Sequence, residues 1–269
     1  MKESREREAD GMNDADTQGV AILLATYNGA RFLPAQLASF AAQTHTAWRL
    51  YWRDDGSSDG SPALVEGFGH AAGAGRCAGV GGTAHLGAAR GFFALLRAAS
   101  AGPETVFAFS DQDDIWLPEK LADGVRALAS VRPGQPGLYF CGRILADQDG
   151  RPTRTVPPPA RPPGFPAALT QNVIPGCCMM VNRAAARLIL AFDPPPGTWH
   201  DWWCYLIVAA NNGTIVGGGK PGILYRQHDR NLIGETGGFW GRTIRAFGRG
   251  RRPFMTLLRA HVAALSIND

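Results

Sequence analysis

Three loops rich in acids and turn formers, ATYNG, RDDGSSDG and SDQDD, each close a run of apolar residues. VAILLA (20–25) is short and continuously apolar, as expected of a strand buried on both faces. WRLYWR (48–53) and ETVFAFS (104–110) predict two more strands. Phe32, Leu33, Leu37 and Phe40 mark one face of a helix over 31–42, and the same period recurs over 88–99. Pro118 suits the first turn of a helix over 118–130. Strands alternating with helices predict an α/β fold, doubly wound about a mostly parallel central sheet with flanking helices and right-handed crossovers. Such sheets bind ligands beyond the carboxyl ends of their strands, so the three loops open on one crevice.

The second half changes character. GLYFCGRILADQDGRP predicts a strand running into a hairpin turn. Residues 152–166 hold seven prolines, which excludes helix and central strand and predicts an extended surface loop. NVIPGCCMMVNRAAARLILAF then gives a turn, a short strand and a helix, WHDWWCYLIVAAN a second helix, and TIVGGGKPGILYRQH a return to strand. GAGRCA satisfies a dinucleotide-binding spacing without the strand before it or the helix after it. GTIVGGGKP lacks the Ser or Thr of a phosphate loop, where Pro221 stands.

Composition narrows the class. With 45% hydrophobic and 19% charged residues, the 269-residue chain reads as soluble and globular, and no run approaches the roughly 18–20 apolar residues of a membrane span. The opening stretch has no apolar core of a secretory signal, so 1–18 is expected to be a disordered leader and the protein cytoplasmic. Five cysteines without metal-ribbon spacing read as reduced, buried side chains. The net charge of +4 is concentrated in 236–269, where six arginines meet one acid. Interleaved with Phe239, Trp240, Ile244 and Phe247, they make a basic amphipathic segment, read as two short helices broken by Gly248, Gly250 and Pro253. It either lies peripherally on an anionic membrane face or packs on its own domain. A nucleic-acid partner is not indicated.

Asp111, Asp113 and Asp114 gather at the end of ETVFAFS, where carboxylates raise one another's pKa unless a cation intervenes. Hard oxygen ligands suit Mg²⁺ or Mn²⁺; the competing reading is an acidic turn capping the next helix. RDDGSSDG is equally ambiguous: Asp59 can serve as an N-cap, or Asp55 can accept hydrogen bonds from a base or ribose.

ATYNGARFLPAQLASFAAQT, RDDGSSDGS, FSDQDDIWLPEKL and YRQHDRNLIG together resemble the family 2 glycosyltransferases of GT-A fold, especially bacterial rhamnosyltransferase-like members. The resemblance runs from about Val20 to Gly234 and implies a glycosyltransferase domain over 19–235, with a nucleotide half to about 130 and an acceptor half beyond. It implies that Ala25 and Tyr27 line the base pocket and that Asp55 reads the base. Asp111-Gln112-Asp113 matches the family's D-x-D, with Asp113 the direct metal ligand and Asp111 near ribose or metal. Gly176, within PGCCM, matches a turn beside donor sugar and acceptor. His200-Asp201 stands where the family has Glu-Asp, so the auxiliary acid is replaced while the general base, Asp201, is kept. Arg226, Gln227 and His228 match the family's late R-Q-H near the diphosphate, His228 as metal ligand or phosphate contact.

Elementary chemistry fits these assignments. A diphosphate leaving group needs a cation, and an attacking hydroxyl needs a base. Trp199, Trp202, Trp203 and Tyr205 around Asp201 would desolvate it and offer stacking faces, Trp202 foremost, to the acceptor. The expected activity is metal-dependent inverting transfer of a sugar, rhamnose in the first instance, from a nucleotide diphosphate to a saccharide or lipid-linked saccharide in cell-surface polysaccharide synthesis. A nucleotidyltransferase and a non-catalytic sugar-nucleotide binder are the competing classes.

Overall fold

The computed structural model describes residues 18–266 apart from 83, 160–163 and 229–250. Nine strands form one sheet: β1 (Val20–Thr26), β2 (Trp48–Asp54), β3 (Cys77–Gly79), β4 (Val106–Ser110), β5 (Ile115–Trp116), β6 (Gly137–Ala146), β7 (Pro152–Val156), β8 (Met179–Asn182) and β9 (Thr214–Arg226). Their order is β3-β2-β1-β4-β8-β6-β9-β5, with β7 paired to β6. β3, β2, β1 and β4 run parallel, as the strand–helix alternation predicts. β8 enters antiparallel between β4 and β6, and β9 returns parallel to β6.

Alternation along β1 shows how the core is divided. Ala21 and Leu23 face one layer, with α3 (Gly87–Ser100), α5 (Arg183–Leu190) and α6 (His200–Ala210). Val20, Ile22 and Leu24 face the other, with α1 (Leu33–Ala41) and α4 (Lys120–Ala129). All five are fully buried, which is why VAILLA carries no polar position. The remaining helices are α2 (Ser61–Ala72) and α7 (Arg251–Ser266).

Three elements depart from the sequence reading. β3 takes its first two residues, Cys77 and Ala78, from the GAGRCA segment, a short edge strand that the sequence reading did not place, and no helix opens there. The proline-rich stretch contributes β7, confined to pairing with β6, the position in which proline's missing N–H is tolerated. Of the basic segment, the described residues 251–266 form one helix, with Pro253 inside it and not at a break, and the half before it lies outside the described residues. Pro253 lies in the first turn of α7, where no intrahelical N–H is needed.

α7 packs on the domain. His261 is fully buried, its Nε2 3.0 Å from Thr198 Oγ1, its ring against Trp202 and Trp203, and Ala264 and Leu265 join the core. The leader 1–17 and residues 236–250 lie outside the described residues. No helix among the described residues is long and apolar enough to cross a membrane.

Candidate active site

The crevice opens where β1, β2 and β4 end side by side, Thr26 opposite Asp54 and Leu24 opposite Ser110. The three loops are stitched together there. Thr26 Oγ1 donates to Asp54 (2.8 Å), Asn28 N to Ser57 Oγ (2.8 Å) and Ala30 N to Asp59 (2.9 Å). Gln112 binds Tyr27 in both directions: Tyr27 N donates to its Oε1 at 2.8 Å, and its Nε2 donates to Tyr27 O at 2.9 Å. Gly29 leaves room for that crossing, since a Cβ would stand 2.2 Å from Gln112 Oε1 and push the amide aside. Burial acts to raise Asp54, yet hydrogen bonds from Ser57, Thr26 and Gly56 hold its carboxyl below the usual range. Asp59 accepts from Ser61 N and Oγ, one residue before the N-cap, Gly60.

Asp55 is also engaged. Its carboxylate accepts Leu86 N (2.7 Å) and Gly87 N (2.8 Å) at the start of α3, while His85 Nδ1 sits 2.7 Å from Asp55 O and 3.1 Å from Oδ2. Tyr27, half exposed, meets His85 edge to face at 5.3 Å across the mouth of the crevice. Ala25 lies partly buried in the last turn of β1 beside them. His85 carries no motif around it in the sequence; its place follows only from the β3–α3 connection.

The floor is acidic. Burial pushes the Asp111 carboxyl up to about 7, reinforced by the charges of Asp113 and Asp201. Asp111 in the β4–β5 loop therefore lies within electrostatic reach of both Asp113 and Asp201, the latter in the first turn of α6. Asp113 Oδ2 lies 2.9 Å from His228 Nε2, and the His228 ring stacks on Phe32 at 4.4 Å. Arg226 holds its guanidinium over the other reach of Phe32. The sequence motif R-Q-H thus meets D-x-D in space, with Phe32 as the platform.

Asp114 is 1% exposed, and neither carboxylate oxygen has a hydrogen-bond partner. It does not cap α4, which begins at Lys120 beyond the intervening β5. Burial, then Asp113 and Asp111, push it well above the usual carboxylate range. Ligand atoms of Asp111, Asp114 and Cys177 all lie within 4.8 Å of one another. That group forms although the sequence pairs Asp111 with Asp113.

On the acceptor side, Asp201 Oδ2 accepts Gly176 N (3.2 Å) and Oδ1 accepts Trp202 N (2.7 Å). Gly176 must be glycine, because a Cβ would lie 2.4 Å from His200 Nε2. His200 is buried between Phe92 and Phe109, both ring nitrogens without partners, and burial lowers its pKa. It fills core space at the position where the resembled family carries an acid. Trp203 and Tyr205 are fully buried and offer no stacking face. Trp202 is partly exposed, its indole N–H tied to Ala168 O at 2.7 Å. All five cysteines are free thiols.

Comparison with known families decides the lineage: residues 21–188 match Glycosyl transferase family 2. The chain belongs to that family. Its fold is shared with S. aureus TarS 1–349 (TM-score 0.57, 14% identity, 78% of this chain and 60% of that one). The same protein in complex with UDP-GlcNAc gives a TM-score of 0.61 at 14% identity, over 80% of this chain and 60% of that one. The mannosyltransferase PcManGT of Pyrobaculum calidifontis, in complex with GDP-Man and Mn²⁺, gives 0.58 at 18% identity, over 90% and 68%. The chain thus spans only about 60% of the length of TarS 1–349. Among curated proteins, none matches significantly.

Proposed function

We propose that this family 2 glycosyltransferase moves a sugar from a nucleotide diphosphate donor to a saccharide or lipid-linked saccharide acceptor, by single displacement with inversion. The convergence of Asp111, Asp113 and Asp201 in one crevice carries the reading. Asp201 accepts the proton of the attacking hydroxyl, and Gly176 N–H fixes the orientation of its carboxylate. Asp113 and Asp111 would hold Mg²⁺ or Mn²⁺, a cation that would supply charge neutralisation for a departing diphosphate. The unpartnered oxygens of buried Asp114 behind them fit a site built for a cation. Arg226 and His228 face the same leaving group. Ala25 and Tyr27 line the base pocket, and Asp55, while capping α3, keeps acceptor capacity for the base. Gly176 and Trp202 border the acceptor. The neighbours bound to UDP-GlcNAc and to GDP-Man with Mn²⁺ support a donor of this class.

Rhamnose from a dTDP donor is the transfer to test first, on the strength of the rhamnosyltransferase-like motifs. The catalytic unit is 19–235 with α7 packed on it, and the arginines of 236–269 attach it peripherally to the cytoplasmic face of the membrane that carries the acceptor. The decisive experiment incubates the full chain with a panel of nucleotide sugars, a lipid-linked saccharide and Mn²⁺ or Mg²⁺, following sugar transfer by mass spectrometry. Transfer requiring metal supports the reading. Donor hydrolysis alone, or binding without turnover, sinks it.

A further inference from the structure

We propose that Asp111, Asp114 and Cys177 form an inner cation cradle behind the D-x-D, one that takes a thiolate ligand and so favours borderline-soft dications such as Zn²⁺, Co²⁺ and Cd²⁺ over Mg²⁺. Three donor atoms, two carboxylate oxygens and one sulfur, lie within 4.8 Å of one another, a spacing one ion can span. Asp111 reaches the crevice, whereas Asp114 and Cys177 are 1% and 2% exposed, so the cradle has an open side and a closed back.

Two observations turn this grouping into a site. A carboxylate buried without partners costs several kcal/mol unless something compensates it, yet among the described residues nothing outside the cradle hydrogen-bonds either oxygen of Asp114, and the one group in reach is the Cys177 thiol, itself a member of the cradle. The nearby ammonium does not supply one. Lys120 Nζ donates to the backbone oxygen of Cys177 at 2.6 Å and lies 3.4 Å over the Trp116 ring. Lys120 thereby fixes the turn Gly176–Cys178 that presents the Cys177 thiol, leaving Asp114 for another partner.

Charge leads to the same place. Around the cradle Asp111, Asp113, Asp114 and, once ionised, Cys177 stand against Lys120 and Arg226. Burial and their neighbours hold the Asp111 and Asp114 carboxyls above the usual range, a demand that a bound cation would relieve, and Asp201 adds negative potential from the acceptor side. Binding the ion releases to solvent the thiol proton and whatever protons Asp111 and Asp114 hold, and forms one metal–sulfur and two metal–oxygen bonds. Two hard oxygens and one sulfur are a poor set for Mg²⁺, which demands oxygen and water, and an ordinary one for Zn²⁺ or Co²⁺. This position shares Asp111 with the one proposed for the diphosphate-bound metal but is independent of Asp113.

The test is a titration of the metal-free full chain with Co²⁺, and separately Cd²⁺, without nucleotide sugar. A thiolate-to-metal charge-transfer band saturating at one ion per chain is expected. Cys177→Ser should abolish the band, Cys178→Ser should keep it, and Asp114→Asn should weaken Co²⁺ binding by at least about tenfold. Asp113→Asn should keep the band while losing turnover, which separates this cradle from the catalytic metal. If Cys177→Ser does not fold, X-ray absorption of the Co²⁺-loaded wild type decides, with one sulfur in the inner shell expected. No band at saturating metal, a band that survives in folded Cys177→Ser, or an inner shell of oxygen and nitrogen alone overturns the proposal.

Discussion

The two walls of the crevice are built on opposite principles. On the β1–β2 side nearly every polar group is answered: Asp54 takes hydrogen bonds from Thr26, Gly56 and Ser57, Asp59 from Ala30 and Ser61, and Asp55 from Leu86 and Gly87. On the β4–β5 side, among the described residues only the Cys177 thiol is in reach of Asp114, and burial and neighbouring carboxylates hold Asp111 up to about 7. Both loops read as acidic turns in the sequence. What separates them is satisfaction: the first wall is a scaffold complete in itself, while the second carries unmet electrostatic demand that a bound cation would meet.

The largest effects should come from the unsatisfied wall. Asp113→Asn should nearly abolish transfer, and excess EDTA should do the same to the wild type; full activity in either case removes the metal from the reaction. Asp201→Asn should lose ~10²–10⁴-fold in transfer rate, the usual range for a removed general base, with donor affinity near normal. Donor affinity is read by calorimetry on the same preparation. A collapse of folding would instead make the Gly176 and Trp202 hydrogen bonds of Asp201 its main role.

The satisfied wall should respond in stability before chemistry. In Gly29→Ala the new methyl displaces the Gln112 amide, breaking both of its bonds to the Tyr27 backbone. The cost should be about 1–3 kcal/mol in urea unfolding, two hydrogen bonds at ordinary net value. Because Gln112 lies between Asp111 and Asp113, donor binding should weaken as well. A variant as stable as the wild type would show that Gln112 finds new partners and that the two walls are not coupled through it.

Much of this contrast was legible in the residues. The continuous apolar run VAILLA located β1, the aromatic-rich runs WRLYWR and ETVFAFS located β2 and β4, and the loops after them located the crevice, because strand period and strand-end geometry are local properties. Asp111, Asp113 and Asp201 came from motif resemblance, and the facing of the first two with Asp201 required the fold. The missed features are those of tertiary origin. β5 has two residues and exists only through its pairing with β9. Cys177 and Lys120 become neighbours of Asp114 only when the turn before β8 packs against α4. His200 looks like a substituted acid in the sequence, whereas the cavity between Phe92 and Phe109 makes it a core ring. Trp203 and Tyr205 face inward because α6 is buried along most of its length, which its aromatic composition alone does not reveal.

The smallest effect concerns the outer edge of the acceptor side, where α7 meets α6. Burial lowers the His261 pKa to about 4, against 6.5 for an unhindered imidazole. The folded chain therefore binds fewer protons than the unfolded chain between those values, and stability rises with pH across that window. The contribution of the neutral ring is fully present above about pH 6.5 and is lost as pH falls toward 4. His200, also buried and lowered, acts in the same direction, so the wild-type slope contains both. Replacing His261 by Gln keeps a polar partner for Thr198 and removes the titration. Hydrogen exchange of α7 amides at pH 7 and pH 5 reads the helix directly: acid should loosen it in the wild type and barely change it in His261→Gln. Loss of the helix beside Trp202 should then raise the KM for acceptor more than that for donor at the lower pH. If both proteins show the same acid dependence of α7 exchange, the helix is held by Ala264 and Leu265 and not by the imidazole.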